Sequence, residues 1–438
     1  MPQKAFTYFI KVFGCQMNYA DAERITATLK NNGGRKTENQ KAADLIVTVS
    51  CGVRQSAEER IISWIKRAKN TNPRAVIALA GCLGHREDLK KRLRDSVDHF
   101  VPAGKKIPAN LINSAYPVHS VHPVYSSSYR AYLPVTTGCD NFCSYCVVPY
   151  ARGREKSIAP EIIIGEAKRL IRKGYKELFL LGQNVNSYQG IDREGKPWTF
   201  SQILRAVNAI PGHFWIKFIS SHPKDVNQKL ILAIKECRKV SRNLHLPLQS
   251  GSDKVLRAMN RKYRQRDYLA TVARIKKIIP EIVFSTDIIV GFPGETAADF
   301  RGSLKVVRKV GFEMLYALKY SPRPETVAYQ LKDDVSAQTK KERQQILDKT
   351  WKAIALRKNQ RFLNKRITFL IDKIKTKSHP KGQKIYWAIG KNFEQKDVAA
   401  QSPKPLGKAV IGQWTAALIT QANPLCLQGK FLGVKKKL

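Results

Sequence analysis

Six of the eight cysteines in this chain fall into two groups of three. The tighter group, here called the loop trio, is Cys139, Cys143 and Cys146 in the sequence GCDNFCSYCVVPY. Three thiolates can hold three irons of a cubane cluster and leave the fourth iron without a protein ligand. Ferredoxin-type carriers ligate every iron, and structural zinc sites usually close with four protein ligands, so both fit this spacing poorly. Three unligated core cysteines would not explain so dense a group, and the spacing predicts a cluster with one open position where chemistry occurs.

The second group, here called the sheet trio, is Cys15, Cys51 and Cys82. Each of these cysteines follows a predicted strand, over residues 6–13, 44–49 and 75–80, in a first part that reads as a parallel α/β unit. Because parallel strands bring their C-terminal ends to one edge of a sheet, these thiols are expected to meet there. The pattern favours a second metal cluster over the alternative of three separately buried thiols.

A strand-to-helix alternation repeats about six times between residues 131 and 321, which predicts a partial β/α barrel. The predicted strands cover residues 131–136, 177–181, 215–219, 243–247, 283–290 and 314–320. Active sites of such barrels are built from the residues that follow the strands. The candidates for ligand binding are Gly182, Gln183, Asn184, Gln249, Ser250 and Asp287, of which the last lies within a strand and is expected to face the interior. Barrel packing or loop capping is the alternative role for each of them.

The chain is strongly basic, with 78 Lys and Arg against 34 Asp and Glu and a net charge of +44. Such a charge attracts polyphosphate, unless the whole proteome of the organism is equally basic. Residues 361–438 carry 16 basic and three acidic residues interleaved with aromatic ones, a composition typical of RNA binding. A basic helix is predicted over residues 339–361, just before this segment. Within the segment, short apolar runs at 367–371, 383–389, 407–412 and 416–420 predict a small β-barrel. The final lysines, 435–437, are equally consistent with a solvated tail and an RNA contact.

Composition places the chain among globular proteins, since 43% of its residues are hydrophobic. No apolar run reaches the roughly 18 residues that span a bilayer, and the first residues lack the pattern of a signal peptide. We therefore expect a soluble, cytoplasmic protein with no membrane partner. A reducing compartment would keep its few thiols available for iron.

Four runs carry a resemblance to a known family. They are the CxxxCxxC motif followed by VVPYARGREKS, then LLGQNVNSY, HLPLQSGSDKVLRAMNRKY and IIVGFPGET. Together they resemble the radical S-adenosylmethionine (SAM) methylthiotransferases over nearly the whole chain. The resemblance implies an auxiliary-cluster domain over residues 1–120, a radical SAM core over 125–357 and a TRAM-like RNA-binding domain over 360–433. It also implies two 4Fe-4S clusters, one on each cysteine trio, and SAM held by the six candidate residues named above.

The closest branch of the family, judged by GCQMN and VVPYARGRE, adds sulfur and a methyl group at carbon 2 of isopentenylated adenosine next to the anticodon of tRNA. Other branches act on threonylcarbamoyl-adenosine in tRNA or on a ribosomal-protein aspartate, and these remain alternatives. The implied partners are a tRNA anticodon stem-loop, a reducing electron donor and a sulfur source, and a monomer is expected. A non-enzymatic iron–sulfur RNA-binding protein would explain the charge and the cysteines, but not an open coordination site at a barrel mouth.

Two departures from the family pattern concern the sheet trio. Val49 and Ser50 replace the usual Asn-Thr before Cys51, and GCLGHR replaces a GCMAQR-like run at Cys82. The thiolates remain, so ligation is expected to survive while the surroundings of that cluster change.

Several further residues attract attention beside these motifs. Arg152 and Arg154 are candidates for binding the carboxylate of SAM or a phosphate of the substrate, with surface solvation as the alternative. His222 and His245 are expected to be hydrogen-bonded structural residues. Cys237 and Cys426 lack partners at ligand spacing and are interpreted as small hydrophobic residues.

Overall fold

The computed structural model describes residues 6–52, 55–105, 122–378 and 384–434. Its N-terminal unit is a five-stranded parallel sheet with the order β2-β1-β3-β4-β5. The strands are β1 (Phe6–Val12), β2 (Gly34–Lys36), β3 (Leu45–Ser50), β4 (Val76–Gly81) and β5 (His99–Pro102), and the helices are α1 (Gln16–Asn31), α2 (Gln55–Thr71) and α3 (Glu87–Arg92). Strand β3 is buried at every residue, as expected of a continuous apolar run covered on both faces.

This unit contains the three strands that the sequence predicts, and also β2 and β5, which the sequence analysis missed. The Ser-rich stretch over residues 114–128, which contains proline, predicts a linker. Residues 114–121 lie outside the described residues, and residues 122–128 form neither helix nor strand.

The central unit contains two three-stranded parallel sheets with the orders β12-β9-β6 and β13-β14-β15. Its strands are β6 (Arg130–Pro134), β7 (Thr136–Thr137), β8 (Lys156–Ser157), β9 (Glu177–Leu181), β10 (Gln189–Ile191), β11 (Pro197–Thr199), β12 (Trp215–Phe218), β13 (Asn243–His245), β14 (Val283–Val290) and β15 (Met314–Lys319). A parallel bridge pairs Ile216 of β12 with Val240, which lies three residues before β13 of the other sheet. The six strands of these two sheets, β6, β9, β12, β13, β14 and β15, coincide with the predicted strands to within a few residues.

Helices alternate with these strands and share one large apolar core with both sheets. They are α4 (Val148–Arg152), α5 (Pro160–Arg172), α6 (Phe200–Ala209), α7 (Gln228–Glu236), α8 (Asp253–Ala258), α9 (Gln265–Ile278), α10 (Ala297–Val310) and α11 (Ala337–Asn359). Helix α10 shows how the local sequence sets the boundaries. Thr296 and Asp299 form a reciprocal capping box at its start, and Gly311 ends it with a φ of 69°.

The C-terminal unit is a closed barrel of five strands in the order β16-β17-β18-β20-β19. They are β16 (Arg366–Ser378), β17 (Lys384–Asn392), β18 (Asp397–Ser402), β19 (Trp414–Ala422) and β20 (Cys426–Val434). The predicted strand over residues 407–412 is wrong, because Lys408–Val410 forms a short 3-10 helix and Gly412 has a φ of 76°. Strands β18 and β20 are not predicted by the sequence patterns. No helix in the described ranges is long and apolar enough to cross a membrane.

A buried charge network ties the C-terminal barrel to the first residues of the central strands. Glu177 is fully buried and forms ion pairs with Lys217 and Arg130, and Arg130 also donates to Asp372 of β16 at 2.7 Å. Without Lys217, only Arg130 would balance the buried charge of Glu177, and Arg130 is shared with Asp372. We therefore expect Lys217→Met to lower the free energy of unfolding by about 3 kcal/mol.

Urea denaturation of the purified protein measures this effect. The matched control is Arg205→Met, which removes an exposed ion pair with Glu236 and is expected to cost less than about 1 kcal/mol. Equal losses for the two variants would show that the buried network does not stabilise the fold.

Candidate functional site

The loop trio lies between β7 and α4, at the end of the sheet where the strands finish. The amide of Cys139 donates to the carbonyl oxygen of Gly153 at 3.1 Å, and the amide of Cys146 donates to that of Cys143 at 2.9 Å. Gly138 precedes the trio with a φ of 77°, and a Cβ placed on it would lie 2.1 Å from the carbonyl oxygen of Arg154. Only glycine therefore allows the loop to turn back on itself at this point.

All three cysteines of the loop trio line one cavity of about 1190 Å³. Polar residues at or near the ends of the central strands form the opposite wall, namely Gln183, Ser220, Ser221, His222, His245, Gln249 and Asp287. The cavity continues along β15 to Gln55 and Glu59 of the N-terminal unit. A volume above the 300–1,000 Å³ or so of a usual small-ligand pocket leaves room for more than one ligand.

Several polar atoms of this wall have no hydrogen-bond partner. Among the described residues, Gln183 Oε1, Ser221 Oγ and Gln249 Oε1 are buried without one. Buried polar atoms in folded proteins are nearly always paired, so these three acceptors are arranged for a bound polar molecule. The amino group and hydroxyl groups of SAM are donors of the kind required, so the residues present fit that cofactor.

Three of the six predicted ligand-binding residues line the cavity, and three do not. Gln183, Gln249 and Asp287 are in its wall, whereas Asn184 donates to Asp225 at 2.7 Å outside it. Ser250 and Gly182 also lie behind the wall: Ser250 Oγ accepts from the amide of Ser252 at 3.2 Å, and a Cβ on Gly182 would lie 2.1 Å from Thr136 Oγ1. Loop structure accounts for these contacts, and any role of the three residues in binding SAM stays a prediction.

Arg261 is a cavity residue to which the sequence analysis gave no role. Its side chain is buried, with Nη1 3.4 Å from Cys143 Sγ, Nε 3.0 Å from Tyr263 Oη and Nη2 3.2 Å from the carbonyl oxygen of Pro247. These three contacts fix the Arg261 guanidinium beside the sulfur of Cys143. Arg261 lies in the run HLPLQSGSDKVLRAMNRKY, which indicates the family resemblance. Nothing in that run predicts a contact between Arg261 and the loop trio.

The sheet trio comes together at the C-terminal edge of the N-terminal sheet. A Cβ placed on Gly14, next to Cys15, would lie 2.4 Å from Cys51 Cβ, and one placed on Gly52 would lie 3.6 Å from Cys82 Cβ. Burial raises the pKa of the Cys82 thiol, and the nearby Cys15 raises it further. Cys15 and Cys82 are 67 residues apart in sequence, yet they and Cys51 share one site, as the strand positions predict.

Ser50, one of the departures from the family pattern, has a clear role in this arrangement. Its side chain is buried, donates to the carbonyl oxygen of Ala80 at 2.7 Å and accepts from the amide of Leu83 at 3.2 Å. These bonds hold the residue before Cys51 against the turn that contains Cys82. The serine therefore supports the geometry of the sheet trio from outside the thiols.

The two histidines both line the cavity and are hydrogen-bonded, as expected. Burial, with the charge of Arg261, lowers the pKa of His222 to about 2, and its Nδ1 accepts from the amide of Lys224 at 3.2 Å. His222 is therefore neutral. His245 lies between Ser285 Oγ at 3.0 Å and Asp287 Oδ2 at 3.2 Å.

The two arginines after the loop trio have opposite environments. Arg154 is exposed and pairs with Asp140 at 2.7 Å, and this hydrogen bond lowers the pKa of the Asp140 carboxyl. Arg152 was expected to bind the carboxylate of SAM or a substrate phosphate, or to lie in solvent. The structure corrects this expectation, because its guanidinium is buried against Asp21 and Cys82.

The thiol pKa values predict how iron uptake depends on pH. Burial, together with the nearby Cys143, raises the pKa of the Cys146 thiol to about 12. Since iron binds the thiolate, each bound iron must displace protons, and we expect iron affinity of the loop trio to increase with pH from 7 towards 12. Anaerobic chelator competition between pH 7 and 9 measures this dependence, and an affinity independent of pH would contradict it.

The grouping of thiols differs from that of a mononuclear site. Within the ranges that the structure describes, no three His, Cys, Asp or Glu side chains are grouped as they would be around a single metal ion. The loop trio instead borders one open space, and burial raises the pKa of Cys139 while Cys143 adds a smaller increase. The three thiols thus border one cavity, and the cluster that they would hold stays the prediction made from their spacing.

Comparisons with known proteins agree with this chemistry. Residues 133–307 match the radical SAM superfamily, and residues 7–101 match an uncharacterized protein family, UPF0004. Among solved structures, the radical S-adenosylmethionine methyltransferase TsrM from Kitasatospora setae superposes with a TM-score of 0.51 at 12% identity, covering 74% of each chain. This likeness concerns the fold alone.

Curated relatives are much closer in sequence. The tRNA-2-methylthio-N(6)-dimethylallyladenosine synthase of Caldicellulosiruptor saccharolyticus is 41% identical over 84% of this chain and 82% of its own length. The protein of the same name from Thermoanaerobacter pseudethanolicus is 36% identical over 98% of this chain and 94% of its own length. At such identity and coverage, this chain belongs to the tRNA-2-methylthio-N(6)-dimethylallyladenosine synthase family, within the radical SAM superfamily.

Proposed function

We propose that this protein is a radical SAM methylthiotransferase that adds sulfur and a methyl group at carbon 2 of N(6)-isopentenyladenosine next to the anticodon of tRNA. The observation that carries the proposal is the single cavity that joins the loop trio to unpaired polar atoms and extends to the N-terminal unit. Family membership adds 4Fe-4S clusters and SAM as cofactors. We propose the loop trio and the sheet trio as the ligands of two such clusters.

The bound cofactors supply the radical and sulfur chemistry, and the chain supplies binding, orientation and protection from water. Gln183, Ser221 and Gln249 present acceptors that would bind the polar groups of SAM. Arg261 donates to Cys143 Sγ and holds this cysteine in place. Arg323 is buried and lines the cavity. It also interacts electrostatically with Cys51, so it extends the cavity wall towards the sheet trio.

The proposed domain organisation follows the units of the fold. We assign residues 1–120 to auxiliary-cluster binding, 125–357 to the radical SAM core and 360–433 to a TRAM-like RNA-binding domain. In this assignment the two central sheets form one partial (β/α)6 barrel, which is supported by the parallel bridge between Ile216 and Val240. The closed five-stranded arrangement of β16 to β20 supports the TRAM-like assignment.

A lysine stripe on the C-terminal barrel supports tRNA as the substrate. Lys373, Lys375 and Lys377 alternate along β16 and are exposed. Alternate residues of a strand share one face, so these three charges form a row suited to a phosphate backbone. We propose an anticodon stem-loop as the RNA bound there, together with an electron donor and a sulfur source as further partners of a monomeric enzyme.

The test is mass spectrometry of total tRNA from cells with and without this protein. We expect the methylthio group on isopentenyladenosine to disappear in the deletion strain and to return with the wild-type gene. Purified protein should bind tRNA with an affinity that falls steeply as salt increases. Unchanged tRNA in the deletion strain would move the assignment to another substrate of the family.

A further inference from the structure

Arg152 connects the two cysteine trios. It is the last residue of α4, which begins two residues after Cys146, yet its side chain points into the N-terminal unit. Nε lies 3.3 Å from Cys82 Sγ, and Nη2 donates to Asp21 at 2.7 Å and to Asn18 at 3.2 Å. The exposed fraction of the Arg152 side chain is 6%.

The backbone beside Arg152 is held by the loop trio. The carbonyl oxygen of Gly153 accepts from the amide of Cys139 at 3.1 Å, and the amide of Gly153 donates to Pro149 at 2.9 Å. Gly138 packs so closely here that an added Cβ would lie 2.6 Å from the Gly153 carbonyl oxygen. The main chain next to Arg152 is therefore fixed in position relative to Cys139.

The side chain of Arg152 is held equally firmly on the sheet-trio side. Asn18, which accepts from it, donates to the carbonyl oxygen of Phe13, two residues before Cys15, at 2.8 Å. Asp21 is on α1, which begins directly after Cys15. A planar guanidinium with several fixed donors holds such partners in one geometry, which a flexible ammonium cannot do.

We infer that Arg152 is a positioning residue that fixes the sheet trio relative to the loop trio. This inference rests on the proposed function, in which sulfur at the sheet trio must reach the substrate carbon activated near the loop trio. Displacement by about 1 Å can cost on the order of a hundredfold in rate when a reaction depends on such placement. Loss of Arg152 should therefore impair transfer between the two sites while each site remains intact.

The experiment compares Arg152→Gln and Arg152→Lys with Arg154→Gln as the matched control. Arg154 is two residues away and exposed, and its side chain contacts Asp140 and the Phe142 ring between the cysteines of the loop trio but no residue of the sheet trio. Its loss should therefore leave the contact between the two trios in place. We expect Arg152→Gln to keep the iron content and the yield of 5'-deoxyadenosine, while the ratio of methylthiolated tRNA to 5'-deoxyadenosine falls at least about tenfold. Arg152→Lys should fall between Arg152→Gln and the wild type.

A second readout separates positioning from general destabilisation. Pulsed electron paramagnetic resonance of the doubly reduced protein should give a broader distribution of distances between the two clusters in Arg152→Gln than in the wild type. If Arg152→Gln does not fold, Asp21→Asn carries the test, because it removes the ionic anchor of Arg152 without touching a cysteine, and we expect a smaller change in the same direction.

The inference is overturned if Arg152→Gln keeps both the product ratio and the distance distribution of the wild type, or if Arg154→Gln lowers the ratio equally. Wild-type protein that binds only one cluster or makes no methylthiolated tRNA would instead overturn the proposed function.

Discussion

Replacement of Cys143 by alanine is expected to abolish the reductive cleavage of SAM. Cys143 lines the cavity, and Arg261 donates to its sulfur at 3.4 Å, so the thiolate has a dedicated partner. Two remaining thiols of the loop trio are too few for a stable cubane cluster with one open iron. Iron should fall from about eight to about four per chain, and 5'-deoxyadenosine should no longer form with dithionite.

Cys426→Ala is the matched control for this variant. Cys426 is a half-buried thiol of the C-terminal barrel whose sulfur is 3.4 Å from the carbonyl oxygen of Leu427, far in sequence from either trio. It should keep wild-type iron content and wild-type formation of 5'-deoxyadenosine. Cleavage of SAM at the wild-type rate by Cys143→Ala would remove the loop trio from the reaction.

The sequence predicted the central strands and the convergence of the sheet trio because both depend on strong local signals. Apolar runs such as LIVTVS in β3 mark buried parallel strands, and the rule that parallel strands end at one edge brings Cys15, Cys51 and Cys82 together. In the C-terminal barrel, the positive φ of Gly412 contributes to the wrong prediction of a strand over residues 407–412. At Gly412 an added Cβ would lie 2.6 Å from Tyr129, a tertiary contact that no local pattern reveals.

The candidate site was only partly predictable for a similar reason. Polar residues after strands can face the cavity, as Gln183 does, or bond to another loop, as Asn184 does with Asp225. The choice depends on packing between elements distant in sequence. Arg152 is the clearest case, because its partners Asp21 and Cys82 are 131 and 70 residues away.

Replacement of Cys51 by alanine is expected to preserve SAM cleavage, which replacement of Cys143 abolishes. The substitution keeps the Cβ that packs closely against Gly14 and removes only the sulfur, so the sheet edge should keep its shape. The loop trio and its partner Arg261 are unchanged, and SAM cleavage should continue.

Formation of methylthiolated tRNA by Cys51→Ala should be lost, because the remaining thiols of the sheet trio cannot hold a stable cluster. One preparation tests the three expectations. Iron analysis tests the loss of the sheet-trio cluster, the yield of 5'-deoxyadenosine tests continued SAM cleavage, and mass spectrometry tests the loss of methylthiolated tRNA. Cys237→Ala removes a buried thiol from the central core and should change none of these readouts. Methylthiolated tRNA at the wild-type level from Cys51→Ala would mean that sulfur reaches the substrate without the sheet trio, and a parallel loss of SAM cleavage would mean that the two trios do not act as separate sites.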